Sequence, residues 1–390
     1  MISKGVTGAL MVLMSIAVVS SASAQTGTSG ARSDSTAASP AVSSPPPPAA
    51  TSVTPTPPDF PRIKVSGLMF GDLYANPTGN PNHVYVGSTD LGKVNIDGNG
   101  PITQDLNGYQ IRRVYLQVDD DLSIKVACRV RLEVDGKELT SGSKETSFIK
   151  NAYALVRQVY PRADLSIGIT NTPTFENSEN FWGYRSVEKT IADFRGVASS
   201  SDAGFSLKGF VDGNHHVGYY GMLGNGTFQK PETNRDKRFY FALPLLMRDL
   251  RVEPYVDYES VPGKKDVATY KVFVGYEFKR VAVGYEQLER VVHDPVAPYQ
   301  KPRGYSAFAR AAIRPNQLNV YGRVDRWQPD VNNPNRVDSD LYIAGIDWQP
   351  VKDLHFEPNL EATQYHGKGT AVPPPYHDVQ ARLTVYILFR

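Results

Sequence analysis

Between Gly108 and Asp135 the chain reads GYQIRRVYLQVDDDLSIKVACRVRLEVD, and from Leu122 onward its polarity alternates without a break. Leu122, Ile124, Val126, Cys128, Val130, Leu132 and Val134 fall on one set of positions, and Ser123, Lys125, Ala127, Arg129, Arg131, Glu133 and Asp135 on the other. Successive side chains of a strand point to opposite faces, so one face here is apolar and the other charged. Strands of soluble sheets run to about 5–6 residues, whereas this alternation lasts fourteen. Strands of about 10 residues or more, apolar toward lipid and polar toward water, are the mark of a transmembrane barrel. The stretch therefore predicts an all-β chain, a transmembrane antiparallel β-barrel, opening on a hairpin that turns at Asp119 to Asp121.

The same pattern recurs along residues 62–390. Strands are expected at Arg62 to Tyr74, Thr146 to Val159, Ala163 to Asn171, Asp202 to Val211, His215 to Leu223, Arg238 to Met247 and Leu250 to Ser260. They continue at Thr269 to Phe278, Val281 to Arg290, Gly304 to Ile313, Leu318 to Trp327, Val337 to Gln349, Leu354 to Tyr365 and Asp378 to Phe389. With the opening hairpin this makes about sixteen strands, an even number as bacterial barrels have. Connections alternate in length: Arg248-Asp249 and Lys279-Arg280 are tight turns, whereas Gly224 to Lys237 and Val291 to Arg303 are long. Short periplasmic turns and long outer loops fit that alternation, with both ends of the barrel chain in the periplasm. Tyr219, Phe239, Tyr270, Phe278, Tyr285 and Trp348 sit near strand ends, where aromatic girdles meet lipid headgroups.

Ahead of the barrel, Met1 to Ala24 has Lys4, an apolar run from Ala9 to Val19, and Ala22-Ser23-Ala24. That is the layout of a secretory signal peptide. Residues 25–61 are rich in Pro, Ser, Ala and Thr, offer little to bury, and read as a disordered periplasmic tether. The formal net charge is +2, which falls to +1 without Lys4, so no bulk charge bias points to nucleic acid. The single cysteine, Cys128, allows no intramolecular disulfide and lies on the apolar face as a small hydrophobe. No G-x-S-x-G, H-E-x-x-H or P-loop pattern occurs, and His215-His216 is an isolated pair. Neither catalysis, nor a cofactor, nor a metal is expected. A passive channel for small hydrophilic solutes or anions is the leading function, ahead of a non-conducting structural or adhesin barrel and of a barrel hydrolase.

Thr172 to Ser201 is about thirty residues long without strand alternation, a length at which loops usually have a function. Ile191, Phe194 and Val197 fit a short helix packed on the inner wall, so this segment is expected to fold inward and narrow the lumen.

The hairpin YQIRRVYL followed by DDDLSIKVACRVRLEVD resembles the phosphate-selective porin O and P family of outer-membrane channels. GITNTPTFE (168–176), WGYRSVEK (182–189) and SDAG (201–204) are similar to that family's inward-folded third loop. Tyr386-Ile387-Leu388-Phe389 resembles the aromatic C-terminal signal read by the barrel-assembly machinery, with the departure that Arg390 follows. The resemblance implies a sixteen-stranded channel in outer-membrane lipid, often a homotrimer.

Taking inward positions from the alternation, Arg113, Lys125, Arg129, Arg131, Lys208, Arg238, Arg251, Lys271, Arg310, Arg323 and Arg382 would face the lumen. So would Glu133, Glu253, Asp257, Glu277, Glu286, Asp325, Asp347, Glu357 and Glu361. Arg185, Lys189 and Arg195 lie on the inward loop, beside Glu176, Glu179, Glu188 and Asp193. Arg113, Lys125, Arg129, Arg131, Arg185, Lys189, Arg195 and Lys208 are the candidate pore-lining and constriction residues. Paired charges would brace the wall, and unpaired ones would guide ions toward at most a weak anion preference.

Overall fold

The computed structural model describes residues 59–83, 85–86, 89–90, 101–135, 147–261, 263 and 265–390. The expected leader, residues 25–58 and the charged loop 136–146 lie outside the described residues.

Apolar alternation closes into a barrel. Its strands are β1 (Arg62–Thr78), β2 (Asn107–Asp121), β3 (Val126–Asp135), β4 (Ser147–Tyr160), β5 (Ala163–Asn171), β6 (Ser201–Phe210), β7 (Gly218–Gly224) and β8 (Arg238–Ala242 and Leu245–Met247). They are followed by β9 (Leu250–Ser260), β10 (Asp266–Phe278), β11 (Val281–His293), β12 (Arg303–Arg314), β13 (Leu318–Gln328), β14 (Val337–Val351), β15 (Leu354–Gly367) and β16 (Asp378–Phe389). Each strand pairs antiparallel with its sequence neighbours, and β1 pairs with both β2 and β16, as in Met69↔Val114 and Met69↔Ile387. The result is a closed antiparallel barrel of sixteen strands, counting the two segments of β8 as one. The ladder leaves no free sheet edge.

Faces follow the alternation. On β16, Gln380, Arg382 and Thr384 are buried inside, while Leu383 and Val385 face out. Val130, Leu132, Ile167, Phe205, Val283, Val324 and Leu360 are exposed on the outer surface, as are Phe239, Tyr270, Phe278, Tyr285 and Trp348 of the expected girdles.

Three departures from the sequence expectation have local causes. The opening hairpin turns at residues 122–125, not at Asp119 to Asp121: the Ser123 hydroxyl accepts the backbone N–H groups of Lys125 (3.3 Å) and Val126 (3.0 Å), and the N–H of Ser123 reaches the Val126 carbonyl (3.0 Å). Leu122, Ile124 and Lys125 are therefore exposed in a turn rather than set on a strand. Strand β8 breaks at Leu243-Pro244, because proline has no N–H for the ladder. Strand β7 starts at Gly218 instead of His215, since the Asp212 carboxylate folds the chain by accepting the N–H groups of His216 (3.1 Å) and Val217 (2.8 Å).

Residues 172–200 between β5 and β6 carry two short helices, α1 (Glu176–Trp182) and the single turn α2 (Ile191–Phe194). Helix α1 ends at Gly183, whose φ of 77° is the left-handed conformation of a helix C-terminus, with its N–H on the Glu179 carbonyl. This loop packs on side chains of the inner wall. Phe181, Trp182, Tyr184, Val187 and Phe194 cluster with Phe273 of β10, Ala282 of β11, Phe308 of β12, Tyr321 of β13 and Leu341 and Ile343 of β14. Phe175, Ile191, Ala192, Val197 and Ala198 pack with Leu288 of β11. Two of the three buried apolar clusters among the described residues thus lie at the seam between loop and wall, and the third, Tyr220, Met222, Tyr240, Ala242 and Tyr255, lies on the wall of β7 to β9.

Candidate functional site: the lumen beside the loop

The loop is held to the wall by polar contacts as well as by its aromatic side chains. Arg112 donates to the carbonyls of Val187 (2.8 Å) and Ser186, Arg382 to Val187 (3.0 Å), Arg323 to Lys189, and Arg290 to Val197 (3.0 Å). The hydroxyl of Thr174 donates to that of Tyr255 (2.8 Å), and Asn177 donates to Glu253. Trp182 meets Phe308 with ring centroids 5.1 Å apart, and its indole N–H reaches the Glu188 carbonyl (3.0 Å). Edge-on aromatic contacts of this kind contribute about 0.5–1.5 kcal/mol beyond their buried area.

With the loop seated on β10 to β14, open volume remains on the opposite side. A cavity of about 540 Å³ is lined by Phe70, Arg113, Tyr115, Gln117, Arg131 and Lys150 of the wall, and by Glu176, Glu179, Asn180, Arg185, Ser186 and Asp193 of the loop. It reaches Lys64 on β1 and Leu388, Phe389 and Arg390 at the rim of the short turns. From Lys64 to Phe70 a strand rises about 20 Å, so the space runs along much of the wall.

The wall here is basic by a backbone device. Phe70 pairs with Arg113 and Gly71 with Ile111, leaving Arg112 as the extra residue of a β-bulge. Arg131 pairs with Asn151 and Leu132 with Ile149, leaving Lys150 as the extra residue of a second. Both bulged residues bring their cations to the inner face, Arg112 to Asp72 (2.6 Å) and Lys150 to Glu133 (3.0 Å). Strict alternation admits one of two neighbours to the lumen, and a bulge admits both. That is why Arg112 and Lys150 escape a reading by alternation. Lys64 was legible from the alternation of β1, where Ile63, Val65, Met69 and Leu73 are the exposed set.

The predicted residues divide into groups. Arg113, Arg131 and Arg185 line the one cavity. Arg113 pairs with Glu133 and donates to the Tyr115 hydroxyl (3.0 Å), and Arg113 and Arg131 lie over the Tyr115 ring at 5.6 and 5.2 Å. Arg131 donates to Gln117 (2.7 Å) and has no carboxylate partner among the described residues. Arg129 pairs with Asp119 (2.5 Å) beside Tyr153. Arg185 bridges Glu179 (3.1 Å) and Asp193 (3.6 Å), and Lys208 pairs with Glu176. Lys189 is almost buried, and burial lowers the pKa of its ammonium despite Asp193 nearby. Arg195 lies over the Phe194 and Trp327 rings and donates to Ser339 (3.2 Å), toward β13 and β14 and not among the cavity residues. Lys125 stays in its turn, off the inner wall.

The loop carboxyls differ. Burial would raise Asp193, but Lys189 and Arg185 outweigh it and hold the group below the usual range. Burial raises Glu179 and Asp193 adds to it, more than Arg185 offsets. Among the cavity residues, Lys64, Arg113, Arg131, Lys150, Arg185 and Arg390 stand against Glu176, Glu179 and Asp193, an excess of three positive charges. Glu133 behind Arg113 and Lys150 and Asp353 beside Arg390 each remove one, and Lys208 beside Glu176 restores one, leaving two.

No family model and no curated protein matches this sequence. Solved structures do match in fold. The anion-selective porin from Comamonas acidovorans superposes with a TM-score of 0.58 at 11% identity, covering 85% of this chain and 100% of that one. The outer membrane channel DcaP of Acinetobacter baumannii gives 0.58 at 12% identity over 84% and 97% of the two chains, and OmpF of Salmonella typhi gives 0.57 at 9% over 84% and 97%. This chain has the sixteen-stranded barrel fold of outer-membrane porins.

Proposed function

We propose that this protein is an outer-membrane porin, a passive diffusion channel for small hydrophilic solutes and ions with a weak preference for anions. The observation that carries the reading is the cavity between the third loop and the bulged wall, where cations outnumber carboxylates. Elsewhere the inner charges are mostly paired at close range, as in Arg238 with Asp257 (2.7 Å) and Lys271 with Glu253 (3.2 Å), and such pairs leave little net field. The apolar outer face, its aromatic rims and the expected signal peptide support an outer-membrane location with residues 25–61 as a periplasmic tether. The β2–β3 hairpin and the loop sequence support a place near the phosphate-selective O and P porins, the C-terminal strand supports assembly by the barrel machinery, and the trimeric form of Vibrio cholerae OmpT among the matching folds supports a homotrimer.

Reconstitution in a planar bilayer tests this. Expected are ohmic openings and, in a KCl gradient, a reversal potential displaced modestly to the anion side, with or without phosphate. Strong cation selectivity would overturn the preference, and a folded barrel without conductance would favour a structural or adhesin role. Phosphate block at low concentration would mean a dedicated phosphate channel.

A further inference from the structure

The buried carboxylates of the inner wall are mostly met by a guanidinium or an ammonium: Asp72 by Arg112, Asp257 by Arg238, Glu253 by Lys271, Asp325 by Arg323 and Glu361 by Arg382. Of those without such a partner among the described residues, which include Asp202 and Glu286, one pair sits on neighbouring strands. Asp347 of β14 and Glu357 of β15 are 3% and 1% exposed, and among the described residues neither is paired with Arg or Lys. They lie on adjoining strands, between the register pairs Gly345↔Asn359 and Trp348↔Phe356, on the same inner face. Like charges at facing positions of a sheet repel, and burial strengthens the repulsion. Among the described residues the basic group in contact with the pair is His355, whose Nδ1 lies 2.9 Å from Asp347 Oδ1, while Arg112 acts on Glu357 from farther off.

We propose that Asp347, His355 and Glu357 bind a single divalent transition-metal cation of the zinc class. Their donor atoms lie within 4.8 Å of one another. An ion about 2.0–2.2 Å from each in tetrahedral geometry needs donors about 3.3–3.6 Å apart, so movements of under about one ångström by each side chain close the three onto it. The charges balance: two carboxylates and a neutral imidazole around a dication leave no net buried charge, with His355 binding through Nδ1 in the tautomer that keeps its proton on Nε2 and any second proton passing to water. A second observation points to the same ligand. Glu357 Oε2 is fully buried and makes no hydrogen bond among the described residues, the nearby Ser186 hydroxyl being unbonded as well, and a cation would satisfy the buried oxygen. The outer contacts suit a metal as well, since Asn319 and Gln349 each donate to Asp347 Oδ2 at 2.9 Å, fixing the carboxylate while Oδ1 faces the imidazole. Imidazole with carboxylates favours zinc-type ions over Mg²⁺ or Ca²⁺. The His355 ring packs on Tyr386 (centroids 5.1 Å), which lines the cavity, so the ion reaches the site from the lumen. Three protein donors leave a fourth position for water or a lumen solute.

The test is calorimetric titration of ZnCl₂ into the untagged, folded barrel in detergent, with MgCl₂ and CaCl₂ as competitors and folding checked by heat-modifiable gel migration. One ion per chain, undisplaced by equal Mg²⁺ or Ca²⁺, is expected, with affinity at least tenfold weaker in Glu357→Gln and in the size-conserving His355→Gln, and unchanged in His216→Ala. No saturable binding by the folded wild type overturns the proposal, as does binding that survives both site substitutions or is lost with His216→Ala. Should a site variant fail to fold, the wild-type titration and a zinc-edge anomalous peak between the three side chains decide.

Discussion

If the unpaired cations of the cavity set its selectivity, Arg131→Gln should lower the anion-to-cation permeability ratio by an amount that salt controls. Arg131 lines the cavity and donates to Gln117 without an ion pair among the described residues, and Asp119, which acts on it from farther off, is held by Arg129, so most of its charge remains effective. For an ion passing about 7 Å away in water, one charge is worth about 0.6 kcal/mol. At 0.1 M salt, with a screening length of about 10 Å, about 0.3 kcal/mol of that survives. Removing it raises the energy of an anion and lowers that of a cation by this amount, so the ratio should fall about threefold. At 1 M, where the screening length is about 3 Å, the change should fall to about 1.2-fold. Reversal potentials in KCl gradients centred on the two concentrations measure this, with Lys125→Gln in the exposed turn as the control that does not move. An unmoved ratio at 0.1 M, or a change equally large at 1 M, would refute a field acting from the wall.

Two further outcomes follow from the loop. Trp182→Ala removes a fully buried side chain and its bond to Glu188, a change that costs about 3–5 kcal/mol in a packed core, and it should raise the open-channel noise and conductance of a barrel whose strands still assemble; an identical trace from the folded variant would mean that the loop does not depend on this contact. Glu179 titrates above the usual carboxylate range and Asp193 below it, so as pH falls the loop first loses the negative charge of Glu179 and the channel should become more anion-selective, a step that Glu179→Gln should abolish and that reversal potentials at successive pH values would record.

The barrel was legible because its signal is repeated sixteen times and each strand checks the next. Leu250–Ser260 and Asp378–Phe389 have the bounds that alternation gives them, and their inner faces are the polar ones. What failed was local. Leu122 and Ile124 continue the period of β3 but belong to a turn, because one hydroxyl at Ser123 satisfies two backbone donors there, and periodicity carries no information about such a bond. The loop was legible in its apolar positions, since Ile191, Phe194 and Val197 are all buried, while helix α1 has no cap residue that would have announced it.

The site was harder to read because inward charge is not fixed by alternation alone. Most lumen cations found by counting alternate positions turn out to be braces: Arg382, Arg323 and the uncounted Arg290 hold loop carbonyls, and Arg238 and Lys271 neutralise buried acids. These contacts depend on where the loop lands, a tertiary fact that no single strand encodes. Once the aromatic seam commits the loop to β10 through β14, the remaining space must lie against β1 through β4, and that is the wall where two bulges each add an inward cation. Arg112 is drawn off to hold the loop and Asp72, whereas Lys150 joins Arg113 and Arg131 at the cavity. The same packing thus does two things at once. It covers paired charges such as Arg323 with Asp325 and Arg382 with Glu361 and leaves a cavity in which cations outnumber carboxylates, so under the proposed function selectivity should depend on the seat of Trp182 as much as on the arginines themselves.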